Sequence, residues 1–190
     1  MAPELEAFRG DFDEVAADAH GLLAPLSDAQ FYWSPSVERW SVAQCVEHLN
    51  LTARNYLPML DDSIANAKRW GVYGNGPFND GWLGPWFVRS MEPPVRRRFK
   101  APVMFQPTPQ SAPRRKRTDI EAAFRGYQVQ FVDRLRQANG VDLAKVRVRS
   151  PASKWVRIPL GSAFALMAAH ERRHLWQARQ LLPRPDFPTT

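Results

Sequence analysis

Apolar side chains recur every three and four positions in four separate stretches of the chain, the spacing of one buried face on an α-helix. Leu5, Phe8, Phe12, Val15, Ala19 and Leu22 mark the first, over residues 3–23, and Pro3 suits its first turn. The second covers residues 41–68 through Val42, Val46, Leu49, Ala53 and Leu57. It starts with Ser41 and Gln44 at capping-box spacing, and Pro58 inside it predicts a kink or an early stop. The third, residues 118–139, opens on another capping-box pair, Thr118 and Glu121, and carries Ile120, Phe124, Tyr127, Phe131, Leu135 and Ala138 on one side. Asn139-Gly140 closes it. The fourth covers residues 160–182 and is stopped by Pro183.

Between the second and third stretches the pattern is lost. Eight of the 17 prolines lie between Pro77 and Pro113, among five glycines from Gly71 to Gly84, which disfavours a long helix or a central strand there. Four amphipathic helices with few strand signals predict an all-α four-helix bundle, one domain over residues 1–190, with residues 69–117 crossing the bundle end. Val146–Ser150 alternates like a strand but has no obvious partner. The crossover's Trp70, Trp82, Trp86, Phe87, Phe99 and Phe105 are too apolar for a solvated linker. They are expected to cap the bundle core or to roof a pocket.

A length of 190 residues suits one domain, and 12% aromatic residues supply a core that a disordered chain lacks. No apolar run approaches the roughly 20 residues that span a bilayer, so no membrane association is expected. The first residues carry acids where a secretory signal carries bases and then an apolar run. With Cys45 the one cysteine, the expectation is a cytoplasmic protein without an intrachain disulfide. The net charge of +7 is concentrated: residues 89–117 sum to +8 and the rest to −1. That weakens the case for nucleic acid as a partner. Arg96-Arg97-Arg98 and Arg114-Arg115-Lys116-Arg117 read either as a solvated edge or as a surface that draws an anionic cofactor or substrate toward a site.

The histidines carry the chemistry. On the fourth helix the inward series is Ala163, Met167, His170, His174, Gln177 and Leu181, so both histidines sit on the core stripe, four apart, as two imidazoles on one metal require. On the second helix the matching series is Ser41, Cys45, His48, Thr52, Asn55 and Met59. If these helices face each other, His48 joins His170 and His174 as a third neutral nitrogen, which leaves coordination positions open for catalysis. The plainer alternative is a set of hydrogen-bonded core histidines without metal. Cys45 is either a fourth ligand that closes the site or, as favoured, a small buried apolar residue. Thr52, Asn55 and Gln177 are candidates to line the pocket. Glu171 is the candidate catalytic or ligand-orienting carboxylate, and Glu47 reads more simply as a surface ion-pair partner. His170-Glu171-Arg172-Arg173-His174 also matches the H-E-x-x-H metalloprotease signature, but the glycine and third histidine of the extended form are missing, so that reading depends on His48. His20 has no such company and reads as a partly exposed residue near a helix end.

At these residues the chain resembles a known family. Trp40-Ser41-Val42-Ala43-Gln44-Cys45-Val46-Glu47-His48-Leu49-Asn50 is similar to the second-helix motif of the DinB-like superfamily of metal-binding bundles. His170-Glu171-Arg172-Arg173-His174-Leu175-Trp176-Gln177 is similar to its last-helix motif. Lys100-Ala101-Pro102 and Val148-Arg149-Ser150-Pro151 fit its long connection and the lead-in to its last helix, so the resemblance covers roughly residues 5–182. It implies up-down-down-up connectivity and a divalent metal, commonly zinc or nickel, on three histidines that carry over to His48, His170 and His174. Relatives include S-transferases using bacillithiol or mycothiol and a thiol-dependent maleylpyruvate isomerase. The resemblance therefore implies a small-molecule substrate, a low-molecular-weight thiol co-substrate and a homodimer. Three function classes follow: a metal-dependent thiol S-transferase, a metal-dependent hydrolase that needs no thiol, and a non-catalytic, stress-related metal-binding bundle.

Overall fold

Each of the four periodic stretches forms a helix in the computed structural model, which describes residues 1–78, 83–95, 100–109 and 114–189. These are α1 (Pro3–Leu23), α3 (Val42–Arg69), α5 (Arg117–Gln137) and α6 (Leu160–Arg179), joined by the short helices α2 (Asp28–Tyr32) and α4 (Leu83–Met91). The protein is thus mostly helical, with six α-helices among the described residues and one small sheet. Trp82, Phe99 and the Arg96-Arg97-Arg98 cluster lie outside the described residues.

The periodic positions turn inward. Phe12 of α1, Leu60 of α3, Phe131 of α5 and Phe164 of α6 are fully buried, and the Phe12 and Phe131 rings stack at 4.8 Å. A second group, including Val15, Phe31, Val46, Leu49, Phe124 and Leu175, fills the other part of the core. Removing each such side chain from water stabilises the fold by about 1.5–3 kcal/mol. Helices α3 and α5, α3 and α6, α1 and α5, and α1 and α6 all pack together, so each long helix borders two others. Charged clamps hold their relative rotation: Arg134 of α5 grips Asp61 of α3 at 2.8 and 2.9 Å, and Arg172 of α6 reaches both Asp11 of α1 and Glu92 beyond α4 at 3.0 Å.

The Ser41–Gln44 capping box forms with both halves: Gln44 N–H donates to Ser41 Oγ at 3.1 Å and Ser41 N–H to Gln44 Oε1 at 3.0 Å. The expected box at Thr118 and Glu121 does not form. Helix α5 starts one residue earlier, at Arg117, without a side-chain cap, because Arg117 Nε takes Glu121 at 2.6 Å. The Arg117 guanidinium also donates to Leu23 O, the last carbonyl of α1, and to Leu26 O in the link to α2. Arg114 lies over the Tyr32 ring, and Tyr32 Oη–H donates to Arg115 O. Arg114, Arg115 and Lys116 remain exposed, so the 114–117 cluster is a solvated edge that these contacts fasten to the bundle.

Three further expectations are corrected. Of the two outcomes expected at Pro58, the early stop does not occur: α3 runs on to Arg69, with the Pro58 ring in solvent. The strand at Val146–Ser150 has a partner, since β1 (Arg147–Ser150) pairs antiparallel with β2 (Ser153–Pro159) around a turn at Pro151-Ala152, burying Val148. Trp155 and Val156 gave that second strand its β-propensity. In the crossover, Trp70 and Trp86 are 72% and 63% exposed, and only Phe105 of the described aromatics there is buried. Among the described residues no helix is long and apolar enough to cross a membrane.

Pro58 sits mid-helix at an exposed position, so Pro58→Ala restores a donor to the carbonyl four residues earlier. Its unfolding free energy in urea is expected to rise by about 1–2 kcal/mol. An unchanged midpoint would mean that Pro58 does not weaken the helix.

Candidate metal centre

The capping box fixes where α3 begins, and with it the direction of His48 two turns in. Packing of α3 against α6 then brings His48 to His170 and His174. One nitrogen from each of the three rings lies within 4.8 Å of the others, and ring centroids stand 4.4–5.0 Å apart. His48 and His174 are buried and His170 is half-buried, so the cluster has one edge toward solvent.

The protonation state of His48 is set from outside the cluster. Its Nδ1–H donates to the Phe105 carbonyl at 2.6 Å, which leaves Nε2 with its lone pair facing His170 Nε2 at 3.1 Å. His174 Nδ1 is buried without any partner. Burial lowers the pKa of all three rings. His48 is lowered, opposed by the Phe105 bond. His170 falls to about 3 through burial and then the neighbouring His48 and Arg173. His174 lies well below the usual range through burial and then its two partners. A histidine ligates a metal in its neutral form. Three neutral imidazoles with converging nitrogens and an orphaned buried nitrogen fit a divalent ion with open positions.

Trp40 covers the cluster, its ring 4.8 Å from His48 and 5.8 Å from His174. Sequence reasoning assigned Trp40 no role at the site. Its place just before the Ser41 cap, where an apolar residue often folds back on the first turns, was the available signal. The Phe105 carbonyl gives no side-chain signal at all.

The other candidates are placed as follows. Cys45 is buried, outside the three-nitrogen cluster, with its thiol pushed up to about 12 by burial. Thr52 Oγ1 donates to His48 O at 2.9 Å and Asn55 Nδ2 to Leu51 O at 2.7 Å, so both polar groups are spent on their own helix. Gln177 is half-buried against His174, whose pKa it weakly supports. Glu47 is buried rather than a surface partner: its carboxylate accepts Thr108 N–H at 2.9 Å and Thr108 Oγ1–H at 2.8 Å, with Arg115 at 3.8 Å. Together with Gln44 Nε2 donating to Thr108 O, it ties the crossover down beside His48. His20 is exposed at the end of α1.

Glu171 turns toward α5. Gln128 Nε2 donates to its Oε1 at 2.9 Å, while Glu171 Oε2 and Gln128 Oε1 are both buried without a partner. A proton on Oε2 removes the negative charge that burial disfavours there. Accordingly burial raises the Glu171 pKa to about 8, against the Gln128 bond and the charge of Arg172. The one hydrogen bond given for the Glu171 carboxylate is to Gln128 of α5 and none is to the histidine rings.

The family model described as the DinB superfamily matches residues 11–178, and the chain belongs to that superfamily. No curated protein and no solved structure matches it at a significant level.

The Glu171 shift has a definite sign. A carboxyl with a folded pKa near 8 and an unfolded value near 4.5 contributes fully below pH 4.5, and that contribution is lost as pH rises through 8. Glu171→Gln, the isostere of the protonated acid, is expected to match the parent at pH 4.5 and to be more stable by roughly 2–4 kcal/mol at pH 9. Equal stability in urea at both pH values would show that Glu171 is ionised when folded.

Proposed function

We propose that the protein is a divalent-metal-dependent enzyme of the thiol S-transferase kind, joining a low-molecular-weight thiol to a small electrophilic substrate. What supports this most is the convergence of three neutral imidazole nitrogens with one ring, His48, already committed through Nδ1 to the Phe105 carbonyl. His48, His170 and His174 would hold the ion, zinc or nickel in this reading, and such an ion favours thiolate over thiol near neutral pH. The up-down-down-up order of the long helices and a homodimeric assembly belong to the same reading.

The remaining work falls to the chain. His48 offers Nε2 because Phe105 O holds the proton at Nδ1, and His174 and His170 stay neutral because they are buried. Trp40 excludes water from one side of the rings. A cavity of about 290 Å³ beside the first turns of α3 is lined by Gln44, Glu47, Thr108, Arg114 and Arg115. Its two guanidiniums suit an anionic thiol or substrate. Glu171, occupied by Gln128, acts in packing in this reading and not in proton transfer.

Metal analysis of protein purified without an affinity-metal step tests the site, and turnover tests the reaction. About one divalent ion per chain is expected, lost in His48→Ala, with turnover of an electrophile only when a thiol is supplied. Turnover without thiol would make the protein a hydrolase. A folded protein that takes up no zinc, nickel or manganese would leave a non-catalytic bundle.

A further inference from the structure

The second concentration of positive charge lies in the hairpin, which the sequence reading passed over. Between Asp142 and Glu171 the chain carries Lys145, Arg147, Arg149, Lys154 and Arg157 and no acid. Strand alternation buries Val148 and leaves Arg147 and Arg149 exposed, and the register sets Arg157 directly opposite Arg149. Like charges directly opposite across a strand pair destabilise the sheet. Lys145 is neutralised by Asp142 at 3.1 Å. Arg147, Arg149 and Arg157 have neither a hydrogen-bond nor an ion-pair partner for their guanidiniums among the described residues.

Arg147, Arg149, Arg157 and Lys145 line one open cavity of about 350 Å³ together with residues from the C-terminal half of α3. Trp70 stands at its edge, 72% exposed. One carboxylate, Asp62, also lines it, leaving the wall strongly positive. Measured along α3, the cavity's Ser63 is 15 residues from His48, about 22 Å at the helical rise, so this site is separate from the histidine cluster and independent of the function proposed for it.

We infer that the hairpin cavity binds a small, multiply charged oxyanion, held by Arg147, Arg149 and Arg157. The planar guanidinium donates two parallel hydrogen bonds to a phosphate or a carboxylate, and three of them around one concavity match two or more such groups on one molecule. The opposed Arg149 and Arg157 repel each other when the cavity holds only water. An anion between them removes that repulsion and replaces water as the partner of both. The volume admits a compact metabolite-sized anion and not a folded partner.

Titration calorimetry at fixed ionic strength, with pyrophosphate and with citrate, tests this on the full chain. Saturable binding of one equivalent is expected for at least one of the two, which also separates phosphate from carboxylate recognition. Arg149→Gln/Arg157→Gln is expected to weaken it at least tenfold, roughly the loss of one charged bidentate contact. Both positions are exposed, and the variant loses the opposed charges, so it should melt no lower than the parent without anion. Arg157→Gln alone serves as the second variant, with a smaller loss. Arg125→Gln/Arg136→Gln, two exposed arginines of α5 that line neither cavity, should bind the anion as the parent does. No saturable binding up to about 10 mM, or equal weakening by the 125/136 pair, would overturn the assignment. So would much tighter, steeply salt-dependent binding of an oligonucleotide, which would mark the face as a polymer surface.

Discussion

One hydrogen bond from a ligand-type histidine to a backbone carbonyl organises the interior. With Nδ1–H committed to Phe105 O, His48 offers a single lone pair to the space it shares with His170 and His174. The acceptor belongs to the crossover, a segment without long secondary structure of its own. The irregular part of the chain is thus held in place by the same contacts that orient the site. Gln44, Glu47 and His48, all within five residues of α3, bind Thr108 and Phe105. A helix start well fixed by its cap therefore carries both the ring and the loop that polarises it.

Burial acts twice on this cluster. It keeps the rings uncharged, since a cation in low dielectric surroundings is disfavoured. It also leaves lone pairs and one nitrogen without water, which is unfavourable unless something positive is shared among them. Both effects favour the same occupant, a small cation with strong affinity for neutral nitrogen. The carboxyl next in sequence shows how local this balance is. Glu171 lies about 100° around the helix from His170, in a second buried polar pair with Gln128, and there the favoured change is uptake of a proton.

The long helices and the histidine convergence were legible because both depend on helical spacing. Positions 170 and 174 share a face by arithmetic, and the polar line through 41, 45, 48 and 52 has to lie beside the apolar one. What was not legible depends on partners distant in sequence. Glu47 looked like a surface residue until Thr108 was folded over it. Arg117 disrupted an expected cap because its neighbours include the end of α1, some 90 residues earlier. The hairpin was missed for a local reason: β2 leads directly into α6, so no gap separates strand from helix. At Pro58 the early stop is overridden by packing on both sides of it, with Leu57 and Leu60 buried in the core.

The residues between the two histidines of α6 have a consequence for the site that their motif does not suggest. Arg172 bonds Asp11 and Glu92, on parts of the chain 161 and 80 residues away. Arg179, two turns on, holds Asp18. These grips sit on the side of α6 turned away from His48 and fix the helix's rotational phase from behind, as a key is held by its bow. A few degrees of roll would swing both imidazole tips through an arc comparable to the tolerance of a coordination bond. The angle at which His170 and His174 present their nitrogens is thus set by carboxylates on α1 and after α4 that touch neither ring.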